Sequence, residues 1–358
     1  MVAALLIVLI GSIGLAVTLA RLRRMNQVYL SLSPDAGSLR SDGLADVLLD
    51  GIAQLQDELV HTDVRDDTDI ILTTRSSLGG STRSRRLAVD PLVLVFDNRH
   101  VAGADEYYDR DSFSILDLES LVSSGQPAEG APSRYALVIA GDDPETFAAF
   151  MIVLGGELLD EDTFEQVASQ LSVPPGEGFT DDDTRQADLE NEFAPVIDII
   201  QDWRSRGILP ENWTDLDTTA VDYILSRGEA TAAILFRSVL DDYTFDERFH
   251  LRTAPTPVGP GRSDIRIVGR AVSLIAGPGP RADALDSVAT LLLAGTVQRR
   301  IRQETSWTPV VLQGPPIDRE HRDLVRWYGG AHRFTTIDAT MAAHPLFDRL
   351  HFVLRTGM

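Results

Sequence analysis

Val221–Val239 reads VDYILSRGEATAAILFRSV. Val221, Ile224 and Leu225 keep the spacing of one helix face, and Gly228 stands where such a helix stops. Ala230–Phe236 (ATAAILF) follows, an apolar run rich in small residues and short enough for a buried strand. Downstream come a proline-broken segment, Thr253–Gly261, and a strand-like run, Ile265–Ile275 (IRIVGRAVSLI), interrupted at Gly269-Arg270 and ended by Gly277–Pro280. Ala284, Leu285, Val288 and Leu292, continuing through Gly295 to Val297 and Ile301, predict one long amphipathic helix, and SWTPVV (Ser306–Val311) closes the series.

Upstream, Gln27–Ser33 alternates as a strand, and Leu44, Val47, Leu48, Ile52, Leu55 and Leu59 hold helical spacing over four or five turns. Asp69–Thr74 (DIILTT) is then a short buried strand, and this βαβ start predicts a parallel sheet. Leu78–Arg86 reads as a solvated loop carrying Arg83, Arg85 and Arg86, and Pro91–Arg99 (PLVLVFDNR) as a strand. A helix over Ser112–Gly125 would bury Leu118, Leu121 and Val122. Tyr135–Ala140 is a further strand, and Asp142-Asp143-Pro144 opens a helix with Phe147, Phe150, Met151 and Leu154 on one face, stopped at Gly155-Gly156. Ser172–Asp188 reads as a loop; a helix over Asn191–Arg206 turns Phe193, Val196, Ile197, Ile200 and Trp203 inward, and Gly207, Pro210 and Trp213 form a connector.

Chemistry is narrowed by what the chain lacks. It has no lysine and no cysteine, which removes Walker A loops, lysine Schiff bases, disulfides, thiolate nucleophiles and cysteine metal sites. A formal net charge of −22 opposes binding to nucleic acid, whose phosphates need a basic surface. The histidines form no HExxH, and there is no GxSxG elbow and no GxGxxG after a strand. Asp181, Asp183 and Glu192 fit positions of a calcium-loop template that Arg185 and Gln186 break, so no metal is expected. Nothing here argues for catalysis or a cofactor.

The order of these segments resembles that of the family 1 extracellular solute-binding proteins of ABC importers. Gly228–Ala233 stands at the family's glycine-and-alanine entry to a strand, Pro255 and Pro257 at its proline linker, and Pro91–Arg99 at its strand ending in asparagine. Phe113 takes the place of a common tryptophan, and Thr308-Pro309-Val310 that of the family's Pro-Val turn. The resemblance spans about Asp69–Val311. It departs after Ala230–Phe236, where sugar-binding members often carry glycine and tryptophan and this chain has Phe236, Arg237 and Ser238.

The resemblance implies an α/β, two-lobed, periplasmic-binding-protein-like fold with mixed, mostly parallel sheets. The chain would cross between lobes near Pro91–Arg99 and again in Ile265–Ile275, and the lobes would close on a small ligand. Segments implied are 25–97 for the first part of the N-terminal lobe and 98–255 for mainly the C-terminal lobe. Residues 256–311 would form a hinge return with the ligand-side strand and helix, and 312–358 tail helices. The ligand residues implied are Arg75, Ser76, Arg237, Ser238, Arg270 and Trp307, arginines for anionic groups or hydroxyls and the indole for stacking on a sugar face. The partners implied are a small-molecule ligand and ABC permease subunits.

Residues 1–24 hold an apolar run, Val2–Ala20, long enough to span a bilayer, followed by Arg21, Arg23 and Arg24. An exported protein follows if this is a signal peptide, with Thr18 and Ala20 near the cut, or a membrane anchor. Arginines placed after the run favour instead a cytoplasmic bulk. The alternative function on the same fold is a membrane-tethered ligand sensor or interaction protein without transport.

Overall fold

The computed structural model describes residues 28–32, 43–53, 59–61, 68–74, 83–101, 107, 113–123, 135–155, 182–242, 250–259, 266–277, 279, 281–310, 333–337, 339–343 and 345–356. The N-terminal run 1–24 lies outside them. Among the described residues no helix is long and apolar enough to cross a membrane.

The described elements are, in chain order, β1 (Val28–Leu32), α1 (Leu44–Ala53), β2 (Leu59–His61), β3 (Ile70–Thr73), β4 (Ser84–Asp97), α2 (Ile115–Ser123), β5 (Tyr135–Ile139), α3 (Pro144–Gly155) and α4 (Asp182–Ser205). There follow α5 (Thr218–Ser226), β6 (Ala230–Phe236), β7 (Leu251–Pro255), β8 (Arg266–Ala276), α6 (Leu285–Leu292) and α7 (Gly295–Glu304). Then come β9 (Thr308–Pro309), β10 (Arg333–Thr336), α8 (Ala339–Ala342) and α9 (Pro345–Thr356). The chain forms two compact units. One comprises Met1–Ala88, Val272–Thr305 and Pro309–Val311; the other comprises Val89–Ala271, Ser306–Thr308 and Leu312–Met358. The chain leaves the first unit inside β4, between Ala88 and Val89, and re-enters it inside β8, between Ala271 and Val272.

In the first unit β1 pairs in parallel with β2 and β3, and β3 pairs antiparallel with the C-terminal half of β8, Ile70 opposite Ala276. Leu44, Val47 and Leu48 of α1 are buried with Leu285, Val288 and Leu292 of α6 and Val297 and Ile301 of α7. Gly51 lets α1 and α7 touch, since a Cβ there would sit 2.9 Å from Val297. After β8 the chain is held by buried Asp69, whose carboxylate accepts the Arg281 N–H at 2.6 Å and whose carbonyl accepts Gly277 N–H at 2.8 Å.

In the second unit β6 lies between β4 and β5, antiparallel to the first and parallel to the second. β7 pairs antiparallel along the other edge of β4, and β10 pairs in parallel with the N-terminal half of β8. Successive side chains of a strand point to opposite faces. Leu92, Leu94, Phe96, Leu137, Ile139, Ala232, Ile234 and Phe236 join one core with Phe147, Phe150, Phe193, Ile200 and Trp203. Val93, Val95, Val138, Ala233 and Leu235 join another with Val221, Ile224 and Leu225 of α5. Both faces are covered, which is why LVLVF and AAILF read as unbroken apolar runs.

Several sequence expectations need correction. The helix expected to reach Leu59 ends at Ala53, because Leu59–His61 pairs with Val28–Leu30 as β2. The Leu78–Arg86 loop gives way to β4 at Ser84, with Arg85 paired to Asp286 at 2.7 Å. The acidic lead-in is helical from Asp182. Ile265–Ile275 is not interrupted: β8 runs through Gly269, whose missing side chain lets it lie on the β4 backbone (a Cβ would meet the Asp90 carbonyl at 2.4 Å). The long helix is two, α6 and α7, with extended backbone at Ala294 between them. Of the tail, Arg322–Tyr328 lies outside the described residues, while Leu346–Leu354 falls within α9.

Candidate functional site

β5 and β6 run parallel and deliver their carboxyl ends to one edge of the second unit. Tyr135 pairs with Ala230 and Ile139 with Ile234. In open α/β sheets that edge is where ligands bind, because loops and helix N-termini converge there without strand pairing to satisfy. β5 leaves through Gly141–Asp143 into α3, and β6 leaves through a 3₁₀ turn, Arg237–Asp242. β4 runs the other way, Leu92 opposite Phe236, so Asp90 reaches the same edge from below.

Five side chains meet there, those of Asp90, Ser238, Phe236, Arg270 and Glu145. Asp90, buried, accepts Ser238 N–H at 2.8 Å and Ser238 Oγ–H at 2.6 Å. Arg270 of β8 places its guanidinium carbon 3.9 Å from the centroid of the Phe236 ring, a cation–π contact. Its Nε lies 2.8 Å from Glu145 Oε2, and Nη1 lies 3.8 Å from Asp90 Oδ2. The Nε approach is an ion pair by distance only, for this buried N–H makes no hydrogen bond of normal geometry. Arg270 and Glu145 remain partly exposed, at 30% and 29% of the side chain. Burial pushes the Asp90 carboxyl above the usual carboxylate range, while Arg270 and the Ser238 hydrogen bonds pull it the other way.

The six residues expected from sequence fall in different surroundings. Arg75 and Ser76 follow β3 and lie outside the described residues. Arg237 is fully buried; its guanidinium pairs with Asp241 through Nη1 and, at 2.9 Å, through Nη2, and donates to the Ser306 carbonyl at 2.9 Å. Trp307, next in the chain, is buried at 3% exposure. Ser238 is held by Asp90, and Arg270 stands partly open at the edge. Sequence reasoning brought Arg237, Ser238 and Arg270 forward but passed over Asp90, Glu145 and Phe236. Asp90 carried a signal, a charge immediately before an apolar strand run; Glu145, one acid among many, carried none.

Around this edge, Asp143 caps α3 by accepting Thr146 N–H at 2.7 Å, and it also accepts Thr218 Oγ–H at 3.3 Å. Gly141 permits close approach of the connector, since a Cβ there would lie 2.6 Å from the Trp213 carbonyl. The chemistry available is hydrogen bonding and charge on an aromatic base. Among the described residues no group of acids and histidines could hold a metal ion.

No protein-family model matches the sequence, and no curated protein matches it. Solved structures do match. Maltose-bound MalE3 of T. maritima aligns over 93% of this chain and 95% of its own, with 14% identity and a TM-score of 0.57. The sugar-binding protein MalE from Xanthomonas citri aligns over 93% of each chain, with 12% identity and a TM-score of 0.62. A probable secreted solute-binding lipoprotein from Streptomyces coelicolor aligns over 92% of this chain and 98% of its own, with 10% identity and a TM-score of 0.58. In fold, this chain is an α/β protein with helix-covered mixed sheets, similar to these solved sugar- and solute-binding proteins.

Proposed function

We propose that this chain is an exported solute-binding component of an ABC-type importer. It captures a small solute, a carbohydrate or another small polar or anionic molecule, and presents it to permease subunits. The observation that carries the reading is the edge of the second unit. There the carboxyl ends of β5 and β6 hold a partly exposed arginine and carboxylate on an aromatic ring, in a fold shared with sugar receptors. Arg270 is the residue through which this unit would hold the solute, with Ser238 beside it. Arg75 and Ser76 remain the contacts proposed from the first unit. Arg237 and Trp307 would act from below, by holding the turn after β6 and the Ser306–Thr308 segment. No bond is made or broken in this function. Residues 1–24 would serve as the leader or the membrane anchor.

A thermal-shift screen of the purified chain against neutral sugars, amino acids and small anions tests this. A ligand that binds only the folded state at about 100 times its dissociation constant adds about 2.7 kcal/mol of stability. One chemical class should raise the melting temperature in a saturable way, and Arg270→Ala should remove the rise. If no class shifts the transition, the transport reading is wrong.

A further inference from the structure

Three features of the second unit's edge should draw an anion. A guanidinium lies over the Phe236 ring, it is partly open to solvent, and the N-terminus of the twelve-residue helix α3 lies close by in the chain position of Glu145. Yet the protein's own carboxylates occupy these positions. Asp143 takes the free N–H of Thr146 at the start of α3, and Glu145 sits 2.8 Å from Arg270 Nε. Asp90 stands 3.8 Å from Arg270 Nη1 on the buried side. The nearby second guanidinium, Arg237, is already paired with Asp241.

We propose that Glu145 is the specificity-determining residue of this edge: its carboxylate neutralises Arg270 and bars anionic solutes, leaving the site to uncharged ones. The inference rests on reading this edge as the solute-binding edge, and it narrows that reading. An incoming anion would have to displace Glu145 or bind beside it, against like charge at close range in a partly desolvated setting. A hydroxyl meets no such barrier, because it can donate to the Glu145 carboxylate and accept from Arg270 at once. Asp90 is less suited to the task. Its burial favours the protonated form, and its two oxygens are committed to Ser238, so the partly exposed charge that a solute meets is that of Glu145.

Inorganic sulfate is the probe, titrated into the full chain at constant ionic strength and neutral pH with chloride as the balancing ion. Wild type should respond to sulfate no more than Arg270→Gln does. Glu145→Ala and Glu145→Gln should each bind sulfate about tenfold more tightly or better, and combining either with Arg270→Gln should abolish the gain. Glu145→Gln keeps the side-chain volume, so it stands as the readout should the alanine variant unfold. Equal sulfate affinity in wild type and in both Glu145 variants overturns the proposal, as does a gain that survives loss of Arg270. Because the probe is not the natural solute, the result is independent of the sugar and amino-acid screen. A sulfate gain without any response in that screen would uphold the role of Glu145 and reject transport.

Discussion

Asp90 is a buried carboxylate that accepts two hydrogen bonds from Ser238 and feels the guanidiniums of Arg270 and Arg237. Its proton is held to higher pH in the folded protein than in the unfolded chain, because burial outweighs those partners. Between the ordinary carboxylate pKa, about 4, and the raised folded value, the folded state therefore binds more protons. Stability then falls as pH rises across that window. Asp90→Asn preserves an acceptor for Ser238 N–H and cannot ionise. Denaturant melts at a series of pH values should show the variant gaining on wild type as pH rises above about 4, with the two close together near pH about 4. Parallel curves would show that Asp90 ionises no differently in the two states. The same scale limits what was legible beforehand. Arg237 stood at the end of a buried strand, where a ligand arginine is expected, yet its i+4 partner Asp241 was already in the sequence, and the pair is a buried brace. Glu145 could not be singled out among 54 acidic residues, because its meaning depends on Arg270, 125 positions away, and only the folded sheet brings the two together.

At the scale of elements the patterns were more readable. Ala230–Phe236, Pro91–Asp97 and Tyr135–Ile139 form strands as their apolar runs implied, and α5 ends before Gly228, which takes a φ of +67° to reverse the chain. The failures share a cause: pairing and packing with distant segments overrode local signals. Gly269 looked like a break but serves as the point where two strand backbones touch, and Leu59 followed helical spacing but pairs with Val28. α3 shows agreement between levels. Proline at its first position costs no hydrogen bond, Asp143 supplies the cap, and Thr146–Leu154 is buried on every side. Asp143→Ala should lower stability by about 1 kcal/mol through loss of the cap. Asp143→Asn, which keeps an acceptor oxygen, should recover most of it in the same thermal melts. An alanine variant as stable as wild type would mean that the helix start is held by its burial alone.

For the molecule as a whole, the least legible part was the C-terminal stretch, whose helical fragments gave no sign of where they dock. Ile337, Met341, Leu346, Phe347, Leu350 and Leu354 are all buried in the second unit's larger core. His351 packs edge-on against Phe147 and lies 3.1 Å from the Thr214 carbonyl, and Arg204 donates to the Leu354 carbonyl at 2.6 Å. This unit therefore closes its core only once residues up to Leu354 have been made. Each large apolar side chain buried in a core contributes about 1.5–3 kcal/mol. Losing these six is of the order of the entire stability of a domain, about 5–15 kcal/mol. A chain ending at Val310 should thus fail to hold the second unit folded. Trp203, Trp213 and Trp307, all buried in that unit and all retained by the truncation, report on it directly. Their emission should shift to the red, and the cooperative melt of the near-ultraviolet dichroism should disappear. Native emission with an intact sharp transition would mean that the β-sheet and helices α2 to α5 sustain the unit alone, and that the tail is a covering rather than part of the core.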